Sequence, residues 1–299
     1  MGQDVHPGLQ ITKGKAKHFV VNALTVDVED YYHVSAFESV VRRDSWDQYE
    51  SRVENNTLRI LDLLDEYHTL ATFFILGHVA ERHPGLVYAI QQRGHEIASH
   101  GYSHRRIYTQ TAQQFREDTR KAKKIVEDIT GLPVTSFRAP SYSITAQTLW
   151  ALEILGEEGF EYDSSIFPIV HDIYGIPGAP RFPYVKALRS GRQIKEFPPS
   201  TLRIFGRNIP VAGGGYLRLF PYKITAWAIR RLNDTEHQPA MVYLHPWEID
   251  PEQPRISASW LSRFRHYQNL DSTETKCEKL LNEFSWAPME EVLTQRLLQ

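Results

Sequence analysis

The feature that most constrains the fold is a regular alternation of apolar, β-type runs with helical patterns. Residues 19–24 form a continuous apolar run that predicts a buried strand, and residues 70–76 form a second. Between them, apolar residues at helical spacing predict a helix, with Asn55-Asn56-Thr57 as its cap. Such alternation favours a parallel sheet, because parallel strands need a crossover connection. We therefore expect an α/β barrel with its functional site at the carboxyl ends of the strands.

The alternation continues beyond the second strand. Helical patterns begin at Pro84 and Thr111, and glycines at positions 94 and 131 end them. A further helix is expected over residues 145–158. Each helix leads to another short apolar or β-branched run, so the barrel interpretation extends over most of the chain.

The alternation of strand and helix patterns is interrupted over residues 165–220. Prolines and glycines are frequent there, which predicts loops and short strands rather than helices. The run Gly213-Gly214-Gly215 is compatible with a bulged turn or with close backbone approach to a sugar, and we favour the turn. Aromatic residues in the same region could form the floor of a sugar-binding groove or pack in the core.

Composition excludes several classes of protein. The chain has 299 residues, 41% of them apolar, which is enough for one large α/β domain and an extension. Its formal charge of −2, with no basic run that interleaves aromatics, makes nucleic acid an unexpected partner. The single cysteine, Cys277, excludes an internal disulfide framework. No signal peptide follows Met1 and no run reaches membrane-spanning length, so we expect a cytoplasmic protein without a transmembrane segment.

The most informative polar pattern is a pair of histidines, His100 and His104, just after a predicted strand. On one helical turn or a tight turn, residues i and i+4 share a face, so the two imidazoles could bind one metal ion. A third ligand is available in the acidic cluster of Asp27, Glu29 and Asp30, which closes the first strand. A cation would relieve the repulsion among these carboxylates, with one as ligand and another as base. A solvated acidic turn is the alternative.

Two further segments carry residue types that fit the same chemistry. Arg138 can orient a catalytic carboxylate, and Pro140 fixes a turn from which the following N–H groups can point at a developing oxyanion. His245 ends the apolar run 241–244 and could act as a general acid, although a lone histidine is more often structural.

These segments together resemble the NodB-type polysaccharide deacetylases, a family of carbohydrate esterases. The match is carried by ordered segments over about 220 residues, supported by the phrases Ala71-Thr72-Phe73-Phe74 and Gly94 to His100. The matching positions are Asp27, His100 with His104, Arg138 with Pro140, Asp163 in Tyr162-Asp163-Ser164-Ser165, and Leu244-His245. The resemblance implies a distorted, incomplete (β/α) barrel of about seven parallel strands.

The first segment departs from the common pattern of two adjacent aspartates, because Val28 follows Asp27. Strand alternation puts Asp27 and Glu29 on the same side, so Glu29 is the preferred metal ligand. Asp30 is the alternative, if the chain bends after Val28.

The resemblance also implies roles and a cofactor. The metal would be Zn²⁺, with Co²⁺ or Ni²⁺ suited to the same ligands. Asp27, oriented by Arg138, would be the base, and the N–H of Ser141 would help to hold the oxyanion. His245, supported by Asp163, would protonate the departing amine. An N-acetylated glycan would be the substrate, and acetate and a glucosamine-type sugar would be the products.

Longer phrases, Asp-Val-Glu-Asp-Tyr-Tyr and His-Pro-Trp-Glu-Ile-Asp, are similar to a subfamily found beside exosortase and extracellular-polysaccharide genes. The resemblance divides the chain into a tail (1–18), a deacetylase domain (19–250) and a C-terminal extension (251–299). Two other functions stay open: hydrolysis of a non-sugar amide such as a cyclic ureide, and non-catalytic binding of a polysaccharide. The joint presence of base, metal ligands and acid argues against the binding function.

Overall fold

The computed structural model describes residues 20–211 and 213–298, so the predicted N-terminal tail lies outside the described residues. The strands are β1 Asn22–Val28, β2 Thr72–Ile75, β3 Glu96–Ser99, β4 Ser136–Phe137, β5 Tyr162–Asp163, β6 Tyr184–Ala187, β7 Gln193–Glu196, β8 Thr201–Ile204, β9 Arg207–Pro210, β10 Met241–Leu244 and β11 Trp286–Ala287. The helices are α1 Val53–Glu66, α2 Gly77–Arg82, α3 Pro84–Gln92, α4 Ala112–Thr130, α5 Trp150–Glu157, α6 Gly214–Leu219, α7 Tyr222–Arg230, α8 Trp260–Tyr267, α9 Thr273–Glu283 and α10 Met289–Leu297.

One large sheet organises these elements, in the order β10-β1-β2-β3-β4-β5-β7-β6. Neighbouring strands from β10 to β7 are parallel, and only the β6–β7 pair of this path is antiparallel. The mostly parallel sheet curls into a half-barrel with helices around it, which confirms the predicted α/β fold. Strands β8 and β9 form a separate antiparallel hairpin.

Strand β1 lies second from one end of this path, and every one of its residues is buried. It pairs with β2 on one side and with β10 on the other, so the residues after all three strands emerge at one edge. Apolar side chains such as Val26 and Phe73 fill the space between sheet and helices. Burial on both faces explains why β1 reads as a continuous apolar run rather than an alternating one.

The start of α1 corrects one prediction. The helix begins at Val53, so Asn55-Asn56-Thr57 lie inside it and do not cap it. Its first N–H groups are bound instead by a carboxylate from another segment: Asp30 accepts from the backbone nitrogens of Arg52 and Val53. A distant cap of this kind leaves no local sequence pattern.

Two other predicted helices have the expected ends. Pro84 begins α3, and Thr111 caps α4 through a reciprocal capping box with Gln114. Gly131 ends α4 in the left-handed region, at φ 68°. The helix expected from residue 145 begins later, at Trp150.

The glycine run has a structural purpose. Gly213 and Gly214 both have positive φ and lie against Tyr243 of β10. A side chain at Gly213 would place its Cβ only 2.7 Å from the backbone nitrogen of Tyr243. The run begins α6 instead of forming the bulged turn that we favoured, and its glycines allow the start of this helix to pack against the strand that leads to His245. Close approach of this backbone to a sugar stays a prediction.

The C-terminal segment adds to the same sheet. β11 pairs in parallel with the beginning of β1, and the backbone N–H of Met289 in α10 donates to Thr72 Oγ1 over 2.6 Å. The proposed division of the chain at residue 250 stays a prediction. In the described part of the chain, no helix combines the length and the apolar character needed to span a membrane.

Candidate active site

Glu29, His100 and His104 meet at the carboxyl edge of the sheet. Each residue contributes one oxygen or nitrogen atom, and these three atoms lie within 4.8 Å of one another. All three side chains are buried. Within the described residues, no other group of three or more such side chains converges in this way. After β3 the chain turns sharply, with Gly101 at φ 72° and His104 at φ 49°. The histidine pair therefore shares a face of a tight turn rather than of a helix.

The ring of His100 is oriented by the backbone. Its Nδ1 lies 2.9 Å from the carbonyl oxygen of Arg138, and only an N–H can bond to a carbonyl. Nε2 therefore keeps its lone pair, which is the form that a metal ligand needs. Burial lowers the pKa of His100 to about 4, so the ring is neutral at physiological pH.

Glu29 is the carboxylate of this group. Its Oε2 lies 2.7 Å from His104 Nε2, and its Oε1 lies 3.4 Å from the indole N–H of Trp247. Burial alone would raise the pKa of Glu29, but the attraction of His104, His245 and His100 lowers it below its ordinary value. Glu29 is thus a buried anion that faces two imidazoles, a donor set that suits a divalent transition metal.

Asp30, the alternative ligand, points elsewhere. Its carboxylate accepts from the hydroxyl of Ser51 over 2.8 Å as well as from the N-terminus of α1. Burial raises the pKa of Asp30 to about 6, against the effect of these hydrogen bonds. The structure therefore brings Glu29 and not Asp30 to the histidines.

Asp27 and Arg138 form a buried ion pair beside this group. Arg138 Nη1 donates to Asp27 Oδ1 over 2.6 Å and to Thr25 Oγ1 over 2.9 Å, and its other nitrogens bond to Ser164. The guanidinium also lies 4.0 Å from the ring centre of Phe74. Asp27 Oδ2 is left to face the site, 3.8 Å from His245 Nε2.

His245 reaches the site from the end of β10. Its Nε2 lies 3.6 Å from Glu29 Oε1, and its ring stacks on Trp247 with the centroids 5.0 Å apart. Its Nδ1 lies 3.2 Å from Glu248 Oε2. Burial alone would lower the pKa of His245, but Glu248, followed by Glu29 and Asp27, raises it to about 9. The imidazole is consequently protonated near neutral pH.

Glu248 is a site residue that the sequence interpretation missed. It is fully buried, accepts from Arg218 Nε over 2.7 Å, and closes a capping box with His245 across a short helix that starts at Pro246. Burial would raise the pKa of Glu248, but Arg218 and His245 lower it. The spacing His-Pro-x-Glu could have indicated this residue in the sequence, because a capping box is formed by hydrogen bonds between residues i and i+3.

Asp163, which we expected to support His245, has other partners. Its Oδ1 accepts from the hydroxyl of Ser165 over 2.6 Å, and it lies opposite Glu196 in the β5–β7 register. Glu196 accepts from the backbone of Ile166. Burial, and then the charge of Asp163, raises the pKa of Glu196 well above its ordinary value. Asp163 thus belongs to a buried pair of carboxyl groups within the sheet, and Glu248 is the acid bonded to His245.

The chain makes a tight turn after Arg138. Pro140 begins a single 3-10 turn, and Ser141 and Tyr142 both have positive φ, at 54° and 51°. The hydroxyl of Ser141 lies 2.7 Å from that of Ser35. A role for the Ser141 N–H in holding an oxyanion stays a prediction.

Sequence comparisons identify two regions. Residues 44–160 match the polysaccharide deacetylase family, and residues 164–294 match a domain of unknown function, DUF3473. The peptidoglycan deacetylase of Helicobacter pylori is 35% identical over 108 residues, which are 36% of this chain and 36% of that protein. The peptidoglycan-N-acetylglucosamine deacetylase of Bacillus cereus is 35% identical over 98 residues, 32% of this chain and 36% of that protein. The matched segment thus spans about a third of the length of these curated relatives.

Two solved structures share the whole fold. A Mycobacterium smegmatis protein assigned as a polysaccharide deacetylase has a TM-score of 0.61 at 19% identity. The superposed region covers 99% of this chain and 96% of that protein's chain. The Puue allantoinase has a TM-score of 0.59 at 17% identity, with coverages of 93% and 90%. Residues 44–160 thus match the polysaccharide deacetylase family that the sequence indicated, and the two solved structures show that the fold is shared.

Proposed function

We propose that this protein is a metal-dependent N-deacetylase, which hydrolyses the N-acetyl groups of hexosamine units in a bacterial surface or extracellular polysaccharide, or in its lipid-linked precursor. The observation that carries the proposal is the convergence of three functions in one buried site: a donor set for a metal, a carboxylate with one free oxygen, and a protonated imidazole. A site that only bound a glycan would need none of these buried charges.

Glu29, His100 and His104 would hold the ion. Their donor set fits Zn²⁺, since two imidazoles and one carboxylate form a common catalytic arrangement with a position left open. A bound divalent ion would supply Lewis-acid polarisation of the amide carbonyl and would lower the pKa of a water molecule. The identity of the ion, the particular glycan and the cytoplasmic location stay predictions.

Asp27 would act as the base. Arg138 holds one of its oxygens, so the other has a fixed position toward the site. It would take a proton from the water that adds to the amide carbon. His245 would give its proton to the amine nitrogen as the C–N bond breaks, and Glu248 keeps the imidazole protonated until then. Acetate and the free amine would leave.

The test is acetate release from a panel of N-acetylhexosamine oligomers, by the chelator-treated protein before and after addition of Zn²⁺, Co²⁺ or Ni²⁺. Asp27→Asn is the matched control, since it preserves shape and removes only the base. We expect metal-dependent acetate release that this variant loses. Allantoin belongs in the panel because a solved allantoinase shares the fold. Hydrolysis of allantoin with no acetate from any glycan would overturn the proposal.

A further inference from the structure

The exposed side of α8 has an apolar centre. The side chain of Trp260 is 76% exposed, and those of Leu261 and Phe264 are each 47% exposed. Trp260 and Phe264 stack on each other with ring centroids 5.5 Å apart and planes at 14°. Among the described residues, none of these three side chains belongs to a buried apolar cluster of the core.

Two arginines flank this apolar face. With about 100° of rotation per helical residue, Arg263 lies on one side of Trp260 and Phe264, and Arg265 lies beyond Leu261 on the other side. Both arginines are exposed, and neither forms an ion pair with a carboxylate in the described part of the chain. The helix itself contains no acidic residue. Its outer face is therefore an apolar stripe with a positive charge along each edge.

The tip of the β8–β9 hairpin also presents an apolar side chain flanked by arginines. Phe205 is fully exposed there, at φ 47°, and Gly206 completes the turn. Arg203 and Arg207 lie on either side of this tip, and neither has a carboxylate partner among the residues described. Arg203 donates only to the side-chain oxygen of Asn208. A second apolar group is thus presented between two positive charges.

A loop lies next to the hairpin. Asn208 of the hairpin donates to the carbonyl of Pro168 over 2.6 Å, and in the loop that follows, His171 stacks on Tyr174 at 3.9 Å. Burial lowers the pKa of His171, the charge of Asp172 raises it, and the positive charge of Arg265 on α8 lowers it. The loop therefore contacts the hairpin and lies within electrostatic range of α8.

The buried side of α8 reaches the candidate active site. His266 stacks on Trp247 with centroids 4.1 Å apart, and Trp247 stacks in turn on His245. Two ring contacts thus connect α8 to His245. Helix and hairpin both fall within residues 164–294, the segment matched to the domain of unknown function.

We propose that the outer face of α8, together with the tip of the β8–β9 hairpin, docks on an anionic phospholipid membrane. Exposed Trp, Phe and Leu with arginine at the edges is the composition of interfacial helices, whose apolar side enters the headgroup boundary while the cations contact lipid phosphates. Anionic lipid supplies the complementary charge to the four arginines. A glycan fits less well, because Trp260 and Phe264 occupy one face of each other's ring and Leu261 offers no flat ring to a sugar.

The inference concerns where the protein works, and it does not depend on the proposed reaction. Its test uses flotation of the full-length protein with vesicles, which needs no turnover. Vesicles of an equimolar mixture of phosphatidylcholine and phosphatidylglycerol should carry the protein upward, and vesicles of phosphatidylcholine alone should carry much less. High salt should reduce the binding, since surface charge interactions are screened.

Two variants separate the contributions of charge and of apolar surface. Arg263→Gln with Arg265→Gln should weaken binding by about fivefold for each charge, or roughly 25-fold for the pair. Trp260→Ser with Phe264→Ser should abolish flotation. The matched controls are Arg189→Gln with Arg192→Gln, which removes the same charge from another exposed turn, and Tyr88→Ser, which removes an exposed ring from α3. Both controls should bind like the wild type.

Three results would overturn the proposal. The first is a wild-type protein that ignores anionic vesicles at low salt. The second is equal weakening of binding by the α8 variants and by their controls, which would mean a diffuse charge effect. The third combines two observations: the wild type does not bind vesicles, and the Trp260→Ser/Phe264→Ser variant loses affinity for N-acetylhexosamine oligomers. That result would mean that this face binds a glycan. Loss of acetate release by itself would bear on the proposed function only.

Discussion

Nε2 of His104 lies 2.7 Å from Oε2 of Glu29, and both side chains are buried. The contact joins a residue from the end of β1 to one from the turn after β3, two segments separated by the whole of β2. Its energy alone would not repay the burial of both polar groups, since desolvation opposes such pairs. The cation that we propose, shared with His100, would offset this cost of burial.

The metal site can be tested by removal of each ligand. His100→Ala or His104→Ala should lose most bound Zn²⁺, because two remaining protein ligands seldom retain the ion. Glu29→Ala should lose it as well, whereas Asp30→Ala should keep it, because the Asp30 carboxylate is engaged at α1. Metal content per chain after dialysis is the measurement. Full Zn²⁺ retention in Glu29→Ala would place the site elsewhere.

Base and acid can be separated from metal binding. Asp27→Asn should keep the ion and lose rate by roughly 10²–10⁴-fold, and His245→Ala should lose a similar factor. The double variant should be about as slow as the slower single variant, because the two residues serve one proton-transfer cycle. Rates of acetate release at saturating substrate provide the comparison. Multiplying losses would show that the two residues act independently.

The pH profile should report the contact between Glu248 and His245. Because Glu248 raises the pKa of His245, Glu248→Gln should move the basic limb of the rate profile to lower pH. The same pair should stabilise the fold fully below the ordinary pKa of histidine, and that contribution should disappear as pH rises through about 9. Glu274→Gln, a surface carboxylate bonded to Arg59, is the control. An unmoved basic limb would assign that limb to another group.

Loss of Arg138 should destabilise the protein strongly. Arg138→Met would leave Asp27 buried without its partner, which typically costs about 3–5 kcal/mol in free energy of unfolding. Arg93→Met, which breaks exposed pairs with Asp62 and Asp65, should cost less than about 1 kcal/mol. Urea unfolding of both variants gives the comparison. Equal small losses would mean that Asp27 is readily neutralised or hydrated in the fold.

The sequence predicted those parts of the site that follow directly from strand ends. Asp27 ends β1, the histidine pair follows β3, and His245 follows β10, so a parallel sheet brings them to one edge whatever its detailed shape. Glu29 followed from strand alternation, which puts it on the same side as Asp27. These relations depend only on periodicity.

The remaining relations depend on register and on distant contacts. The position of Asp163 opposite Glu196 is set by the pairing of β5 with β7 across a long loop, which no local pattern encodes. Asp30 binds the start of α1, more than twenty residues away, so its carboxylate could not be distinguished from that of Glu29 in sequence. Glu248 lay within reach of prediction, because its capping box with His245 joins residues only three apart.

The close approach of Gly213 to Tyr243 has a consequence for any attempt to redesign the candidate site. Backbone packs on backbone there, two residues before His245, so the height of the imidazole above the sheet is set by a contact without a side chain. Libraries of variants that change the residues lining the site would leave the His245 imidazole in place. A change of substrate would have to come from the surrounding loops, which can be lengthened or exchanged while this fixed point is retained.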